Sequence, residues 1–249
     1  MDSSKAVGII PDFFHDIIAY IIPGYVSIMV MILNFYFMNI LPDLALNEIN
    51  LFYYFLSLIA AYVLGRFYEH LGYFTIHHRK FPFVGKWGKN STPKWSLIFD
   101  EKEKSYTEVF KTNLKNKIEA WLKNQDGNLL MEECKDSKKD DYFNLIQFYL
   151  RERFPAVALY EKKQNATIVL TRSMAIIFFL NVFIYHIVLF IKVDSANRVF
   201  SYDVLVWILS CMVFAVVFYG RFLLDKKYHA MYIFETFIGM KKLLRKANV

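Results

Sequence analysis

The chain has 249 residues, 56% of them hydrophobic and 18% aromatic, with a formal net charge of +7. Globular chains average about 45–50% apolar, and the excess here sits in four uncharged blocks, the pattern of a membrane protein rather than of a uniformly patterned soluble domain. The two cysteines, Cys134 and Cys211, are far apart and Cys211 lies inside an apolar block, so they suggest neither a disulfide framework nor a zinc pattern.

Residues 1–16 begin short and polar. Pro11-Asp12 reads as a helix start, and Phe13, Phe14, Ile17 and Ile18 suit a membrane interface. Acids precede the apolar run and no small-residue cleavage site follows it, which argues against a signal peptide. Ile17–Pro42 then carries no formal charge over 26 residues, enough to span a bilayer with tilt. Pro23 and Gly24 lie inside it. Proline removes a backbone donor and crowds the preceding turn, so a kink or break is expected there, and Pro23-Gly24 is the candidate hinge.

Leu41–Asn50 is a short link with Asp43 and Glu48 and no Lys or Arg. Ile49–Gly65, 17 residues without a charge, is expected to return across the membrane. About 20 apolar residues cross a hydrocarbon core of roughly 30 Å. The span ends in Gly65-Arg66-Phe67, with Glu69 three residues past the arginine.

Residues 74–165 have a different composition. They hold 18 of the 30 Lys and Arg and 13 of the 23 Asp and Glu. Basic residues flank this insert, with Arg79 and Lys80 before it opens out and Lys162, Lys163 and Arg172 before the next span. The positive-inside rule therefore places the insert and both termini in the cytoplasm. Residues 81–96, rich in Pro, Gly and Trp, read as an extended connector near the headgroups. Tyr106–Lys123 is an amphipathic helix, with Phe110, Leu114, Ile118 and Trp121 on one face. Tyr142–Arg153 repeats the period through Leu145, Ile146, Tyr149 and Leu150. Pro155 marks a new helix start that can run into the third span.

Ser173–Ile191 and Val204–Gly220 are the third and fourth uncharged runs, of 19 and 17 residues. The fourth ends in a second Gly-Arg-Phe, at Gly220-Arg221-Phe222, with Asp225 four residues past the arginine. Residues 226–249 read as a basic amphipathic tail on the inner face, with Tyr228, Tyr232, Phe234 and Phe237 available to the interface.

The expected fold is an all-α membrane protein of four transmembrane helices in two hairpins, with a helical cytoplasmic insert. The domains are 1–73 (N-terminal segment and first hairpin), 74–165 (insert), 166–225 (second hairpin) and 226–249 (tail). The spacing of Arg66 with Glu69 and of Arg221 with Asp225 makes each pair helical neighbours. These four charges are the candidate cluster at the inner mouth of the bundle, because ionisable groups at membrane depth often mark functional paths. The plainer alternative has each arginine reaching lipid phosphates and each acid balancing it. No catalytic residue, metal ligand or cofactor is expected. His70, His77 and His78 follow Glu69 but form no metal-protease or paired-histidine motif. Asn34, Asn181 and His186 are the few polar groups within the spans. Lysines near Trp87, Trp95 and Trp121 are interleaved with acids, so the expected partner is anionic lipid rather than nucleic acid.

The segments PDFFHDIIAYIIPGY, VLGRFYEHLGYF, YFNLIQFYLRERFPAVALYEKKQNATIVLTRSM and FYGRFLLDKKYHAMYIFETF resemble bacterial four-span membrane proteins with a helical cytoplasmic insert. Some such proteins belong to antiphage systems of the retron, cyclic-nucleotide and Kiwa types. The resemblance covers the layout of most of the chain. It implies an inner-membrane sensor or effector of antiviral defence that perturbs membrane integrity when triggered. It also implies a homo-oligomer and a cytoplasmic protein partner or small nucleotide signal. Two other classes stand beside it: a membrane scaffold that anchors a cytoplasmic enzyme, and a membrane-bound enzyme using Glu69, His70, His77 and His78.

Overall fold

The structure is a computed structural model, and it describes residues 13–37, 51–77, 106–126, 136–192 and 202–247. Every element among them is helical. A π-helical turn, Ile17–Ile21, leads into α1 (Ile22–Phe37). Then come α2 (Leu51–His77), α3 (Glu108–Asp126), α4 (Asp136–Arg153), α5 (Pro155–Lys192) and α6 (Tyr202–Ala247). The links at 41–50, 81–96 and 193–201, together with His78, lie outside the described residues.

Among the described residues, three helices are long and apolar enough to cross a membrane: Phe13–Tyr36, Pro155–Tyr185 and Val204–Gly239. The described part of α2 is not one of them. At 27 residues it is nevertheless about 40 Å long, from a rise of about 1.5 Å per residue.

The chain divides into two compact units. One comprises residues 1–82 and 162–222, the other residues 83–161 and 223–249.

In the first unit the π turn and α1 pack on α2. Proline at 23 has no N–H to give to the carbonyl of residue 19. The chain does not break there. The ladder widens just upstream, where the Ile22 N–H donates to the Ile17 carbonyl five residues back, which is the π-helical pattern. One turn on, Gly24 lies against the Ala61 backbone, and Gly65 lies against the Tyr20 carbonyl. A Cβ at either glycine would overlap those main-chain atoms. Ala61 and Gly65 are four apart on one face of α2. This is the small-xxx-small arrangement that lets membrane helices approach at backbone distance, where Cα–H groups contact carbonyl oxygens. Tyr25 and Ser57 add a hydroxyl hydrogen bond of 3.1 Å across the same interface. Ala166 of α5 is buried against Ala19 and Tyr20.

The outer faces of this unit remain apolar. On α2, Tyr53, Tyr54, Phe55, Leu56, Ile59 and Val63 are exposed. On α6, Leu205, Leu209, Val213, Val216 and Val217 are exposed. Exposed apolar faces of this kind are uncommon on a protein that faces water.

The second unit has a core in the manner of a soluble helical domain. Leu114 and Ile118 of α3 meet Phe143, Ile146 and Leu150 of α4, Val157 of α5, and Ala230, Ile233, Phe234 and Phe237 of α6. The helical periods read in 106–123 and 142–153 thus face inward. The tail differs from its reading as an interfacial helix. Phe234 and Phe237 are 0% and 1% exposed, and Tyr232 lies 3.7 Å from the Tyr160 ring, centroid to centroid. Of the four aromatics, only Tyr228 is largely exposed. Among its described residues the insert supplies α3, α4 and the start of α5. The first part of the tail supplies the apolar face that completes their core.

Candidate functional site

Among the described residues of the first unit, two polar clusters join side chains from more than one helix through three or more groups. The deeper one joins three helices. Asn34 of α1 donates through Nδ2 to Asn181 Oδ1 of α5. Asn181 Nδ2 lies 3.2 Å from Cys211 Sγ of α6. Trp207 Nε1, also of α6, donates to Asn34 Oδ1 at 2.9 Å. Asn34 and Asn181 are each 4% exposed and Cys211 is fully buried. In an apolar surround such side chains find one another, because the alternative is an unsatisfied amide in hydrocarbon. The sequence singled out Asn34 and Asn181 separately. Their pairing, and the parts of Trp207 and Cys211, appear only in three dimensions. The His186 side chain lies outside the described residues.

The second cluster is built around Glu69. Arg66 Nη1 donates to Glu69 Oε2 at 3.3 Å, and Arg66 Nε donates to the Tyr62 hydroxyl at 3.3 Å. The Arg66 guanidinium lies 4.0 Å from the Tyr20 ring centroid and 5.7 Å from that of Tyr62. A cation over a tyrosine face contributes about 0.5–2 kcal/mol, more as the pair is desolvated. From α5, Arg172 Nη2 approaches Glu69 Oε1 to 4.0 Å. Its guanidinium stands 5.7 Å from the Tyr73 ring. Gly72 makes room for its stem, since a Cβ there would come within 3.1 Å of Arg172 Cγ. The Arg172 side chain is 13% exposed, Glu69 19% and Arg66 43%. Two arginines therefore share one carboxylate in a half-buried site. Arg172 entered the sequence reading only as a flanking charge. Its position at the mouth of the third uncharged run was the available signal.

The two Gly-Arg-Phe copies are not structural equivalents. Gly65 is buried and Gly220 is exposed, with no atom near the place of its missing Cβ. Arg66 is half-buried and Arg221 exposed. Phe67 is 55% exposed and Phe222 2%. The acids fall in different units. Glu69 belongs with Arg66 and Arg172 in the first, whereas Asp225 is 1% exposed in the second. Among the described residues, Glu69 pairs with Arg66 and Arg172, so its arginine partner from another helix there is Arg172 and not Arg221.

His70 is exposed on α2, and the His77 side chain and His78 lie outside the described residues. Among the described residues, no group of three His, Cys, Asp or Glu side chains is placed to hold a metal ion.

Comparison with protein-family models, curated proteins and solved structures finds no match.

In the second unit the polar contacts serve the helix packing. Lys117 Nζ donates to the carbonyls of Phe237 and Ile238, at 2.8 and 2.5 Å. The Tyr106 hydroxyl donates to Glu235 at 2.6 Å. Burial, followed by that hydrogen bond and the negative charge of Glu235, pushes the Tyr106 hydroxyl well above its ordinary pKa.

Proposed function

We propose that this is a multi-pass protein of a bacterial inner membrane, with α2 as a fourth span, the 83–161 region and both termini cytoplasmic, and a sensor or effector role without catalysis. In this reading an event at the helical unit alters the membrane unit, so that the bilayer leaks or depolarises. The antiviral setting is the one implied by the resemblance to antiphage membrane proteins. The observation that carries the proposal is that α5 and α6 each supply residues to both units. Val157 and Phe234 belong to the core of the second unit, while Asn181 and Cys211 belong to the polar network of the first. The exposed Tyr53–Val63 face of α2 supports a fourth span, since that face is stable in lipid and costly in water.

Two experiments test the proposal. Cysteines introduced one at a time at Asp43 and Lys138 are reacted with an impermeant thiol reagent on intact cells. Labelling only at Asp43 fits four spans, and labelling at Lys138 contradicts the topology. Cells expressing the chain are also challenged with phage in the presence of a voltage-sensitive dye. The proposal expects depolarisation that a vector control lacks, and unchanged potential with unchanged plating removes the effector role.

A scaffold role for the second unit has its own support. Val109, Leu145, Phe148 and Leu159 are exposed there and offer apolar contacts to a cytoplasmic protein. That role expects a stoichiometric partner in pull-downs and no depolarisation.

A further inference from the structure

The Arg66–Glu69–Arg172 cluster has more donors than the described residues satisfy. An arginine presents five N–H donors. Arg66 uses two of its donor nitrogens, on Tyr62 and Glu69. Arg172 makes no hydrogen bond to the described residues. Its nearest carboxylate oxygen is 4.0 Å away, and its Nε is buried without a partner. A buried guanidinium with no acceptor is costly, and charged donors in folded proteins are almost always met. One carboxylate also leaves two guanidinium groups with an excess positive charge. Asp16, just ahead of the π turn, has a carboxylate that is 46% exposed and lies beside His15 at 3.5 Å.

The surroundings say what kind of acceptor fits. Phe13 and Phe14, just ahead of the π turn, are 60% and 57% exposed. On α2, Phe67, Tyr73 and Phe74 are 55%, 49% and 50% exposed. Exposed aromatics that bracket arginines at the end of an apolar run are the features of the headgroup level of a bilayer. Guanidinium groups match a phosphate in shape and charge, and they do so best where water is partly excluded.

We propose that Arg66 and Arg172 bind the phosphate of an anionic phospholipid, with Glu69 holding the two guanidinium groups in place from the protein side. The proposal rests on the reading of this unit as membrane-embedded. The lipid is not reached by Arg66 alone. Arg172 of α5 and Arg66 of α2 clasp the same headgroup, so an inner-leaflet lipid fastens α5 to the first hairpin.

The test uses the full chain purified in mild detergent. Native mass spectrometry reads retention of phosphatidylglycerol, of phosphatidylethanolamine and of inorganic phosphate. Arg172→Gln and Arg66→Gln are each expected to lower phosphatidylglycerol retention about tenfold, on the scale of a lost charge-assisted hydrogen bond. Lys163→Gln, at an exposed flanking position of α5, is expected to change it less than twofold. Glu69→Gln is expected to raise it. Arg172→Lys is expected to restore part of it, as a point charge without the fork. Should Arg172→Gln fail to fold, Arg66→Gln and Glu69→Gln carry the test, because Arg66 is 43% exposed. Equal losses from Lys163→Gln and Arg172→Gln would reduce the effect to general surface charge and overturn the site. Retention unchanged by either arginine variant would do the same. Inorganic phosphate that binds as well as the lipid, or displaces it, would overturn the choice of lipid. Extraction of the chain from membranes by alkaline carbonate is scored separately. That result would overturn the membrane reading itself, whereas a membrane-embedded chain with no lipid preference overturns only this site.

Discussion

Gly65 and Gly220 open identical Gly-Arg-Phe tripeptides, and the structure assigns them opposite responses to the same substitution. A Cβ at Gly65 would run into the Tyr20 carbonyl, its carbon and its Cα, all main-chain atoms of the π turn. No rotamer change relieves that overlap, so the π turn and α2 must move apart. Overpacking of this kind costs about 1–3 kcal/mol, occasionally more, and part of the neighbouring Gly24–Ala61 contact goes with it. At Gly220 nothing lies within 4 Å of the place a Cβ would take. Alanine there contacts no neighbour and gains helix propensity, about 0.5–1 kcal/mol. The two substitutions should thus differ by roughly 1.5–4 kcal/mol, with opposite signs. The assay is unfolding of the detergent-solubilised chain, followed by circular dichroism against temperature or added denaturing detergent. Gly65→Ala should unfold earlier than wild type, and Gly220→Ala at the same point or later. Equal shifts in one direction would refute the close approach of the π turn and α2.

The Asn34–Asn181 contact should show as a coupling. Asn34→Leu, Asn181→Leu and the double variant form a cycle whose interaction energy is expected near 0.6 kcal/mol and below about 2 kcal/mol, the range of hydrogen bonds between membrane helices; strict additivity would argue that the two amides do not meet. The Tyr106–Glu235 hydrogen bond should make the helical unit sensitive to alkali. The hydroxyl is raised above its ordinary value of 10.0 in the folded chain, so the folded state holds this proton more tightly than the unfolded one. Its contribution is therefore complete below about pH 10 and is lost as pH rises above it. Tyr106→Phe should be less stable than wild type at neutral pH, and the difference should shrink above about pH 10. A difference that does not change with pH would show that the proton is not held in this way.

Much of the helical unit was legible because its helices are amphipathic. Phe110, Leu114 and Ile118 recur at helical spacing against lysines, and Leu114 and Ile118 are fully buried. The same argument misjudged the tail. Phe234 and Phe237 form an apolar stripe beside lysines, and a stripe suits a lipid surface or a protein core equally. The choice depends on whether other helices leave a gap for it. Here α3 and α4 do.

The site in the membrane unit was legible in part. Arg66 and Glu69 are three apart on one helix, so their pairing is local and follows from helical geometry. Arg172 lies more than a hundred residues away on another helix, where spacing carries no information about Glu69. The repeated Gly-Arg-Phe pointed instead to Arg221, because a repeated string looks like a repeated structure. The two strings sit at different phases of their helices, so one buries its glycine and exposes its phenylalanine while the other does the reverse.

Helix, apolar length and the flanking charges are local properties, and the sequence alone determined them: an all-helical chain with membrane-length segments and a charged helical region. Which side of each segment faces a neighbour is not local. A helix that is apolar nearly all round has almost no preferred face, so nothing in its own residues says where the contact will fall. Tertiary packing decided it through a few residues. Gly24 and Gly65 let backbones touch, Asn34 and Asn181 find each other across helices, and Arg172 comes to the carboxylate that Arg66 already holds.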